Sequence, residues 1–405
     1  MEVLKSHGHE VIPFSIKSKR NRASEYEPYF LDTVGDDAVY FGDYDKKNVK
    51  TVVKTFSRMF YSFEAKTKLD KLIKDTRPDL VYVLHYQNKI SASIFDAARQ
   101  NNVPVVHRIS DFGQICTNAL FFRPIQKDIC ERCLHGSNFN AVINKCVYNS
   151  YLYSSLKAAA LQLQQLLNIK KKVAAFIVPS KFTLSKLAEG GFSNEKLFNI
   201  PTFFNFPPSA KDVEINYKPF AVYIGRIEAE KGLFTLVKAF ENTNFNLKII
   251  GFSATGYDVE LQEYLKDKQH NIEFLGKMEF EQIQGYLADC SFTVVPSEWY
   301  DNFPNTILES FAFKKSVIAT NTGSLKEIVL NKNTGLLFEL KDEQDLKEKV
   351  TELFNNTDLC MLYGNNAYNM ITTEFSADSH YSKLIQIFNN VVNKTSNFST
   401  NAVIN

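Results

Sequence analysis

Short apolar runs alternate with stretches of helical periodicity along nearly the whole chain, and this alternation limits the fold more than any other feature. The runs are continuously apolar, which is typical of parallel strands buried on both faces of a sheet, so the sequence predicts an α/β fold. In the first half, the predicted strands are Glu10–Ile16, Leu80–His85, Val103–Ile109, Ala174–Val178 and Leu197–Ile200, and the predicted helices are Lys46–Lys74, Ala92–Gln100, Asn149–Ile169 and Lys181–Glu189. In the second half, the strands are Phe220–Gly225, Leu247–Gly251, Ile272–Leu275, Phe292–Val295 and Ser316–Ala319, and the helices are Leu233–Phe240, Asp258–Lys268, Glu281–Ala288 and Asn305–Phe313.

The chain has 405 residues, which is too long for one ordinary hydrophobic core and suits two domains. Prolines interrupt any regular element in the segment Pro201–Lys218, which is therefore the predicted domain boundary. We expect an N-terminal domain over residues 1–205 and a second domain over residues 206–375. A helix over residues 376–394 is expected to pack back on the first domain, and the Asn-, Ser- and Thr-rich residues 395–405 are expected to form a disordered tail.

The two halves carry opposite charge. Residues 1–205 hold 29 Lys and Arg against 19 Asp and Glu, whereas residues 206–405 hold 18 against 26. Such a basic half indicates either an anionic partner, such as a phospholipid surface or a phosphate-bearing substrate, or two domains of complementary charge. No apolar run reaches the roughly 18 residues that span a bilayer, and residues 1–10 lack the apolar core of a signal peptide. A cytoplasmic location is therefore expected, and no nucleic-acid partner is predicted.

A candidate phosphate site follows the first strand of the second half. Gly225 and Arg226 end that strand, and Lys231 opens the next helix five residues later. Ligands of open parallel sheets bind at the carboxyl ends of strands, near helix N-termini. Arg226 can form a forked contact with phosphate oxygens and Lys231 can add a point charge, although such a pair taken alone is more often an ordinary surface loop.

Two acids follow the strand Phe292–Val295. Asp301 lies in the loop after this strand, and Glu309 projects from the following helix eight residues later. A carboxylate such as Glu309 can accept hydrogen bonds from two ribose hydroxyls, and the free backbone N–H groups at the helix start can bind phosphate or sugar. The alternatives are an exposed helix acid for Glu309 and a helix cap for Asp301.

In order along the chain, these motifs resemble the family 4 glycosyltransferases. The resemblance rests on Gly225-Arg226, Lys231-Gly232, Phe274-Leu275-Gly276, Pro296-Ser297 through Phe303-Pro304-Asn305, Leu308-Glu309 and Thr320 to Val329, and it extends from Gly8 to about Val391. It implies a GT-B fold, in which two Rossmann-like domains with parallel sheets face each other across a cleft. It also implies transfer from a nucleotide-diphosphate sugar of the UDP or GDP type to a glycan or lipid-linked acceptor, with retention of configuration and without a catalytic metal. Cell-surface polysaccharide synthesis at the inner membrane face, with peripheral membrane contact through the basic domain, is the implied setting.

The resemblance also implies roles for single residues. Arg226 and Lys231 would hold the diphosphate and Glu309 the ribose, while Asp301 would face the donor sugar with a side chain one methylene shorter than the family's glutamate. With Glu309, Arg226 and Lys231, Asp301 completes the predicted catalytic set. The other predicted donor-binding residues are Gly225, Lys277 and Met278 near the base, Glu298 as a substitute acid, and Phe303, Pro304 and Asn305 through their backbone.

The first domain departs from the family pattern. Its opening residues look like the end of a helix, a turn at Gly8 and a strand, so the first strand and the Gly-rich loop of the family are expected to be missing. Ser110 occupies the position of the family's usual histidine, and Asp111 matches the aspartate beside it. We expect His85, Ser110 and Asp111 to bind on the acceptor side, since serine cannot serve as a base near neutral pH. A catalytically impaired nucleotide-sugar or glycan-binding relic is therefore a second interpretation, and a GT-B epimerase or phosphorylase a third.

Four of the six cysteines fall within one insert, residues 112–148. Cys116, Cys130, Cys133 and Cys146 include a Cys-Glu-Arg-Cys spacing that suits a structural zinc ion held by thiolates. An iron–sulfur cluster uses the same ligands, and reduced, partly buried thiols are the other alternative. A subgroup of the family 4 enzymes is similar in this insert.

Overall fold

The computed structural model describes residues 1–34, 49–205 and 213–401. Three features of the sequence prediction lie outside the described residues: the start of the helix expected from Lys46, the middle of the domain boundary with Pro207 and Pro208, and residues 402–405 of the expected tail.

The N-terminal domain is built on a sheet of parallel strands. In chain order its elements are α1 (Glu2–Ser6), α2 (Val49–Phe60), α3 (Phe63–Thr76), β1 (Val81–Val83), α4 (Ile94–Gln100), β2 (Val105–Arg108), β3 (Phe122–Arg123), β4 (Asp128–Ile129), α5 (Phe139–Ile143), α6 (Tyr151–Leu166), α7 (Ile169–Lys172), β5 (Ala175–Val178), α8 (Lys181–Glu189) and β6 (Leu197–Asn199). The described strands of the sheet lie in the order β1-β2-β5-β6, with every neighbouring pair parallel. The cysteine insert, residues 112–148, contributes the small antiparallel pair β3–β4 and the helix α5.

The strand predicted at Glu10–Ile16 is wrong. Among the described residues this segment forms only an isolated parallel bridge, between Ile16 and Leu31. Pro13 lies in the middle of the segment and has no N–H to donate to a ladder. The apolar signal came instead from Ile12 and Phe14, which pack against the core of the domain.

The single helix predicted at Lys46–Lys74 is also wrong, because the described part consists of two helices. Ser62 separates α2 from α3, and its hydroxyl accepts the N–H of Ala65 at 3.2 Å. Since this bond satisfies a free N–H at a helix start, Ser62 begins a second helix.

The second domain has a larger parallel sheet. Its elements are β7 (Lys218–Ile224), α9 (Leu233–Phe240), β8 (Asn246–Ile250), α10 (Tyr257–Leu265), β9 (Asn271–Gly276), α11 (Phe280–Asp289), β10 (Cys290–Val295), α12 (Asn305–Ala312), β11 (Ser316–Thr320), α13 (Leu325–Ile328), β12 (Gly335–Phe338), α14 (Glu343–Phe354), α15 (Thr357–Thr373) and α16 (Ala377–Asn401). The strand order is β12-β11-β10-β7-β8-β9, and all pairs are parallel. Two parallel sheets with helices between their strands confirm the predicted α/β fold.

The last helix, α16, covers the sheet of the first domain. Leu384, Ile387 and Phe388 share a buried cluster with Val106 and Ile177 of β2 and β5. The helix extends to Asn401 and so includes residues 395–401 of the expected tail, whose disorder stays a prediction. None of the described helices is long and apolar enough to span a bilayer.

The two domains touch at the helix start of α8. The carboxylate of Glu327, in α13, accepts the backbone N–H groups of Lys181 at 2.8 Å and Phe182 at 2.6 Å. Thr183 donates its hydroxyl to the side-chain oxygen of Asn302 in the loop after β10. A residue of the second domain therefore caps a helix of the first, which brings the carboxyl edges of both sheets together.

Candidate active site

Three glycines lie in a row at the carboxyl ends of three neighbouring strands. Gly225 and Gly251 directly follow β7 and β8, and Gly276 is the last residue of β9. The N–H of Gly225 donates to the carbonyl oxygen of Ile250 at 3.0 Å, and the N–H of Gly251 donates to that of Gly276 at 2.9 Å. A Cβ atom on Gly251 would lie 1.8 Å from the carbonyl oxygen of Gly225, so no larger residue fits there. The row leaves a strip of exposed backbone that a flat ligand can approach closely.

Two cations lie beside this strip, and both are already paired. Arg226 is half-exposed and contacts Glu230 at 3.0 Å. The Lys231 ammonium lies 2.6 Å from Oδ2 of Asp301, with only 18% and 10% of the two side chains exposed. Asp301 also accepts from Ser297 Oγ at 3.2 Å. The structure thus brings Arg226, Lys231 and Asp301 to one edge of the sheet, but an anionic ligand must compete with carboxylates for both cations.

Glu309 differs from its neighbours because its carboxylate has no hydrogen bond or ion pair among the described residues. Burial raises its pKa above the usual range, and no nearby cation offsets this effect. A half-buried carboxylate without a partner is costly to the fold. Such a group is typical of a ligand site, where hydroxyl groups of the ligand supply the missing donors.

Glu298, by contrast, has partners within the protein. Its Oε1 accepts the hydroxyl of Thr235 at 2.6 Å, and Lys341 lies 3.8 Å from its other oxygen. Burial raises its pKa, and the hydroxyl of Thr235 and the charge of Lys341 partly reverse this rise. Glu298 therefore fixes α9 against the loop after β10, and its place as a substitute acid stays a prediction.

The start of α12 is open. Pro304 is its N-cap and makes no side-chain cap bond, while Asn305 is exposed. Phe303 packs edge-on against Phe375 at 5.7 Å, which fixes the backbone before the helix. Lys277 and Met278 follow Gly276 at the end of β9; Lys277 is exposed and Met278 packs partly on the sheet.

The three residues predicted on the acceptor side line one cleft at the carboxyl ends of β1 and β2. His85, Ser110 and Asp111 lie there together with the buried His107 and Gln114. The Nδ1 atom of His85 lies 4.0 Å from Oδ2 of Asp111, and both side chains are partly exposed. The cleft can therefore hold a polar group between a carboxylate, a hydroxyl and an imidazole.

His107 lies in the wall of this cleft and is a weaker base than a free imidazole. Burial lowers its pKa to about 4, and its Nδ1 donates to the carbonyl oxygen of Val83 at 3.0 Å. Lys157, on α6, is also largely buried, which lowers its pKa to about 8, and its ammonium donates to Asn88 at 2.5 Å. Both side chains thus form hydrogen bonds to other residues of the first domain.

The four cysteines of the insert share one region but do not form a closed metal site. Burial raises the pKa of Cys116 to about 12 and of Cys146 to about 11, and the neighbouring thiols add to both shifts. Tetrahedral zinc at about 2.3 Å from each sulfur needs thiolates within roughly 4 Å of one another. In the described part of the chain, no three of these sulfur atoms lie within 4.8 Å of one another. The zinc ion stays a prediction from the cysteine spacing.

Another trio does come that close, namely Glu131, His135 and Glu189. Lys186 lies 2.9 Å from Glu131 and 3.0 Å from Glu189. Because this ammonium already neutralises the two carboxylates, the trio has the character of an ion-pair network.

The second domain matches a known family. Residues 208–370 match the family model described as glycosyl transferases group 1. The second domain is therefore similar to the group 1 glycosyl transferases. Over 297 residues the chain is 27% identical to an uncharacterized glycosyltransferase of Methanocaldococcus jannaschii, and the alignment covers 73% of this chain and 76% of that protein. It is also 27% identical over 172 residues to the capsular polysaccharide biosynthesis glycosyltransferase CapM of Staphylococcus aureus, covering 41% of this chain and 45% of CapM.

Solved structures extend the likeness to both domains. Sucrose-phosphate synthase from Thermosynechococcus elongatus superposes with a TM-score of 0.67 at 18% identity, over 96% of this chain and 90% of that one. HepE of Anabaena, in complex with UDP, superposes with a TM-score of 0.58 at 16% identity, over 80% of this chain and 82% of that one. At such low identity these likenesses show the fold, which is the GT-B fold expected from the sequence.

Three residues of the candidate site were missed by the sequence analysis. Gly251 ends a strand next to Gly225, and its place in the same row could have been recognised from the repeated strand–glycine pattern. Glu228 is buried in the loop after β7 and holds Thr255 at 2.6 Å, which fixes the loop after β8. Glu327 lies in a quoted motif, yet only the folded chain reveals that it caps the opposite domain.

Proposed function

We propose that this protein transfers a sugar from a nucleotide-diphosphate sugar to a glycan or lipid-linked acceptor, with retention of configuration. The proposal rests chiefly on Glu309, whose unpartnered carboxylate lies on α12, the helix after the loop in which Asp301 binds Lys231. A carboxylate that accepts two hydroxyls, together with cations that bind phosphates, is complementary to a nucleoside diphosphate. The UDP complex of HepE supports this ligand class on the same fold.

The donor would bind in the strip between β7, β8 and β9. Its ribose would replace the missing partners of Glu309, while the diphosphate would draw Arg226 away from Glu230 and Lys231 away from Asp301. The open N–H groups at the start of α12 would add donors where negative charge develops on the leaving phosphate. Asp301, released by Lys231, could then accept from a hydroxyl of the donor sugar.

The acceptor would bind in the cleft of the first domain. Ser110 and Asp111 can bind sugar hydroxyls, and His85 is exposed enough to contact them. No general base is required, since the leaving phosphate can take the proton of the acceptor hydroxyl. Retention follows if attack and departure occur on the same face of the sugar. No catalytic metal enters this scheme, because Arg226 and Lys231 would stabilise the leaving diphosphate.

Cell-surface polysaccharide synthesis is the proposed setting. CapM acts in capsular polysaccharide biosynthesis according to its name, and a further relative, 25% identical over 179 residues and covering 44% of this chain, is the O-antigen chain mannosyltransferase C of Escherichia coli. We propose a cytoplasmic location at the inner face of the membrane, where a lipid-linked acceptor would lie.

Exposed apolar side chains support membrane contact through the first domain. The helices α2 and α5 both pack on α6, and these elements expose Val53, Phe139, Ile143 and Leu152 by 60% or more. Apolar side chains beside a basic surface favour an anionic bilayer. We expect sedimentation with anionic but not neutral vesicles, and the variant Leu152→Ser should weaken it; equal binding to both vesicle types would contradict this mode.

The cysteine spacing still favours a structural zinc ion, and we propose it from that spacing alone. To bind zinc, the four thiols would have to approach one another and lose their protons; they belong to Cys116, Cys130, Cys133 and Cys146.

A donor screen tests the proposed activity. The full chain is incubated with UDP- and GDP-sugars, with and without cell lipid extract, and released nucleoside diphosphate is measured. Glu309→Gln should weaken nucleoside diphosphate binding about 30-fold, since it loses charge-assisted bonds to ribose. Its control is Glu281→Gln, which alters an exposed helix acid. Binding without turnover of any donor would favour the relic, and equal binding by the two variants would contradict the assigned site.

A further inference from the structure

The loop after β10, residues 296–304, contacts the first domain on both sides of Asp301. We call this segment the donor loop. The ring of Tyr300 packs edge-on against that of Phe182, with 4.6 Å between the ring centroids. On the other side of Asp301, the side-chain oxygen of Asn302 accepts the hydroxyl of Thr183. Phe182 and Thr183 both lie in the first turn of α8, so one helix of the first domain holds the two neighbours of Asp301.

The hydrogen bond between Thr183 and Asn302 is buried and has a fixed direction. Thr183 is fully buried. Its hydroxyl accepts the hydroxyl of Ser180 at 2.9 Å, so its own hydrogen is left for the oxygen of Asn302. A buried polar atom that loses its partner destabilises the fold. We therefore expect Thr183 to fix the position of Asn302.

The second domain holds the same turn of α8 from another side. The carboxylate of Glu327 in α13 accepts the N–H groups of Lys181 and Phe182, at 2.8 Å and 2.6 Å. Ser324, the N-cap of α13, donates its hydroxyl to the carbonyl oxygen of Asp301. The helices α8 and α13 thus bind each other and both bind the donor loop. A shift of any one of the three must break hydrogen bonds to the others.

We propose that Thr183 is a positioning residue of the donor site, which holds Asp301 at the carboxyl edge of the second sheet by binding Asn302. The contact between Phe182 and Tyr300 acts in the same way from the other side of Asp301. Where it concerns the donor sugar, this inference rests on the proposed function. The coupling of α8 to the donor loop does not depend on that function.

The position of Asp301 should matter more for sugar transfer than for nucleotide binding. In the proposed function, Arg226, Lys231 and Glu309 bind the nucleoside diphosphate, whereas Asp301 faces the donor sugar. A looser donor loop would move Asp301 away from the sugar. It would also weaken the ion pair between Asp301 and Lys231, which competes with the phosphate for the lysine. Diphosphate binding should therefore persist where sugar transfer falls.

Four variants test the role of the Thr183 hydroxyl. Thr183→Val removes the hydroxyl and keeps the size of the side chain, while Thr183→Ser keeps the hydroxyl. Asn302→Ala removes the acceptor from the other domain, so the test does not depend on whether Thr183→Val folds. The control is Thr351→Val, since the hydroxyl of Thr351 donates to the carbonyl oxygen of Lys347 at 2.7 Å within α14.

The single tryptophan of the chain, Trp299, lies in the donor loop and reports on it whether or not a nucleotide binds. Thr183→Val and Asn302→Ala should both change its emission and its quenching by acrylamide. Both should lower the release of nucleoside diphosphate from UDP- or GDP-sugars about 5- to 10-fold and leave UDP and GDP binding within about 2-fold of the wild type. The double variant should be no worse than either single variant, because the two residues act through one bond. Thr183→Ser and Thr351→Val should match the wild type.

Unchanged Trp299 signals in both Thr183→Val and Asn302→Ala would overturn the inference. An equal change in Thr351→Val would also overturn it, because that result would indicate general loosening. So would UDP and GDP binding that fell as far as sugar transfer, since the contact would then act on the phosphate site and not on Asp301. Altered Trp299 signals in a protein that binds neither UDP nor GDP would support the coupling and contradict the proposed function. The two ideas therefore fail in distinguishable ways.

Discussion

The ion pair between Lys231 and Asp301 allows the sharpest test of the donor pocket. The two charged atoms lie 2.6 Å apart and both side chains are mostly buried. At an effective dielectric constant near 20, their attraction is on the order of 6 kcal/mol, and the loss of hydration offsets most of it. Lys231→Met would leave Asp301 with Ser297 as its remaining hydrogen-bond donor. We expect this variant to lose about 2–3 kcal/mol of unfolding free energy, somewhat less than for a fully buried pair.

Substitutions of Lys231 and of Asp301 should change the affinity for nucleoside diphosphates in opposite directions. Lys231→Met should weaken UDP or GDP binding about 10- to 100-fold, because one charge-assisted contact to phosphate is lost. Asp301→Asn removes the competitor of the phosphate, so it should bind the diphosphate at least as tightly as the wild type while sugar transfer falls. Urea unfolding and titration calorimetry on both variants measure these effects. If Asp301→Asn weakened diphosphate binding as much as Lys231→Met, the competition we infer would be refuted.

Three further predictions concern stability and metal content. Gly364→Ala should lower the free energy of unfolding by about 2–4 kcal/mol, since its Cβ would lie 1.9 Å from the carbonyl oxygen of Lys314. Gly285→Ala, in open space on α11, should raise it by about 0.5–1 kcal/mol, and equal effects of the two variants in chemical unfolding would contradict this packing. Burial lowers the pKa of His107 from 6.5 to about 4. The folded state should therefore lose on the order of 1–3 kcal/mol of unfolding free energy as the pH falls from 6.5 toward 4. If a His107→Gln variant showed the same pH dependence of unfolding as the wild type between pH 7 and 4.5, this assignment to His107 would be refuted. Protein purified without oxygen should contain about one zinc ion per chain by elemental analysis, and its absence would remove the metal proposal.

The sequence was most informative where local rules decide the outcome. The strands around Phe220 and Phe292 were predicted because continuous apolar runs end in Gly225 and Pro296, and the structure confirms both strands. β12 was missed, since the short run Gly335–Phe338 becomes a strand only by pairing with β11. Segments like these owe their state to a neighbour that is distant along the chain.

The same distinction holds within the candidate site. Lys231 and Asp301 were both placed in the pocket, but residues 70 positions apart gave no signal that they pair with each other. Tyr300 was quoted within the motif without a role, because Phe182, against which its ring packs, belongs to another domain. The cysteine spacing predicted a ligand set, whereas the positions of the thiols depend on how the insert folds as a whole.

The charge asymmetry left two interpretations open, and the interface between the domains distinguishes them. Among the described residues, the ion pair that joins the two domains is Lys127 with Glu260, at 3.5 Å, and about half of each side chain is exposed. A pair of this kind contributes at most about 1 kcal/mol. Glu327 binds backbone N–H groups of α8 and so neutralises no basic side chain. Complementary domains would place many opposite charges in contact, and here they do not. The few charge contacts between the described parts of the two domains give little support to the interpretation of complementary domains, and an anionic partner stays a prediction.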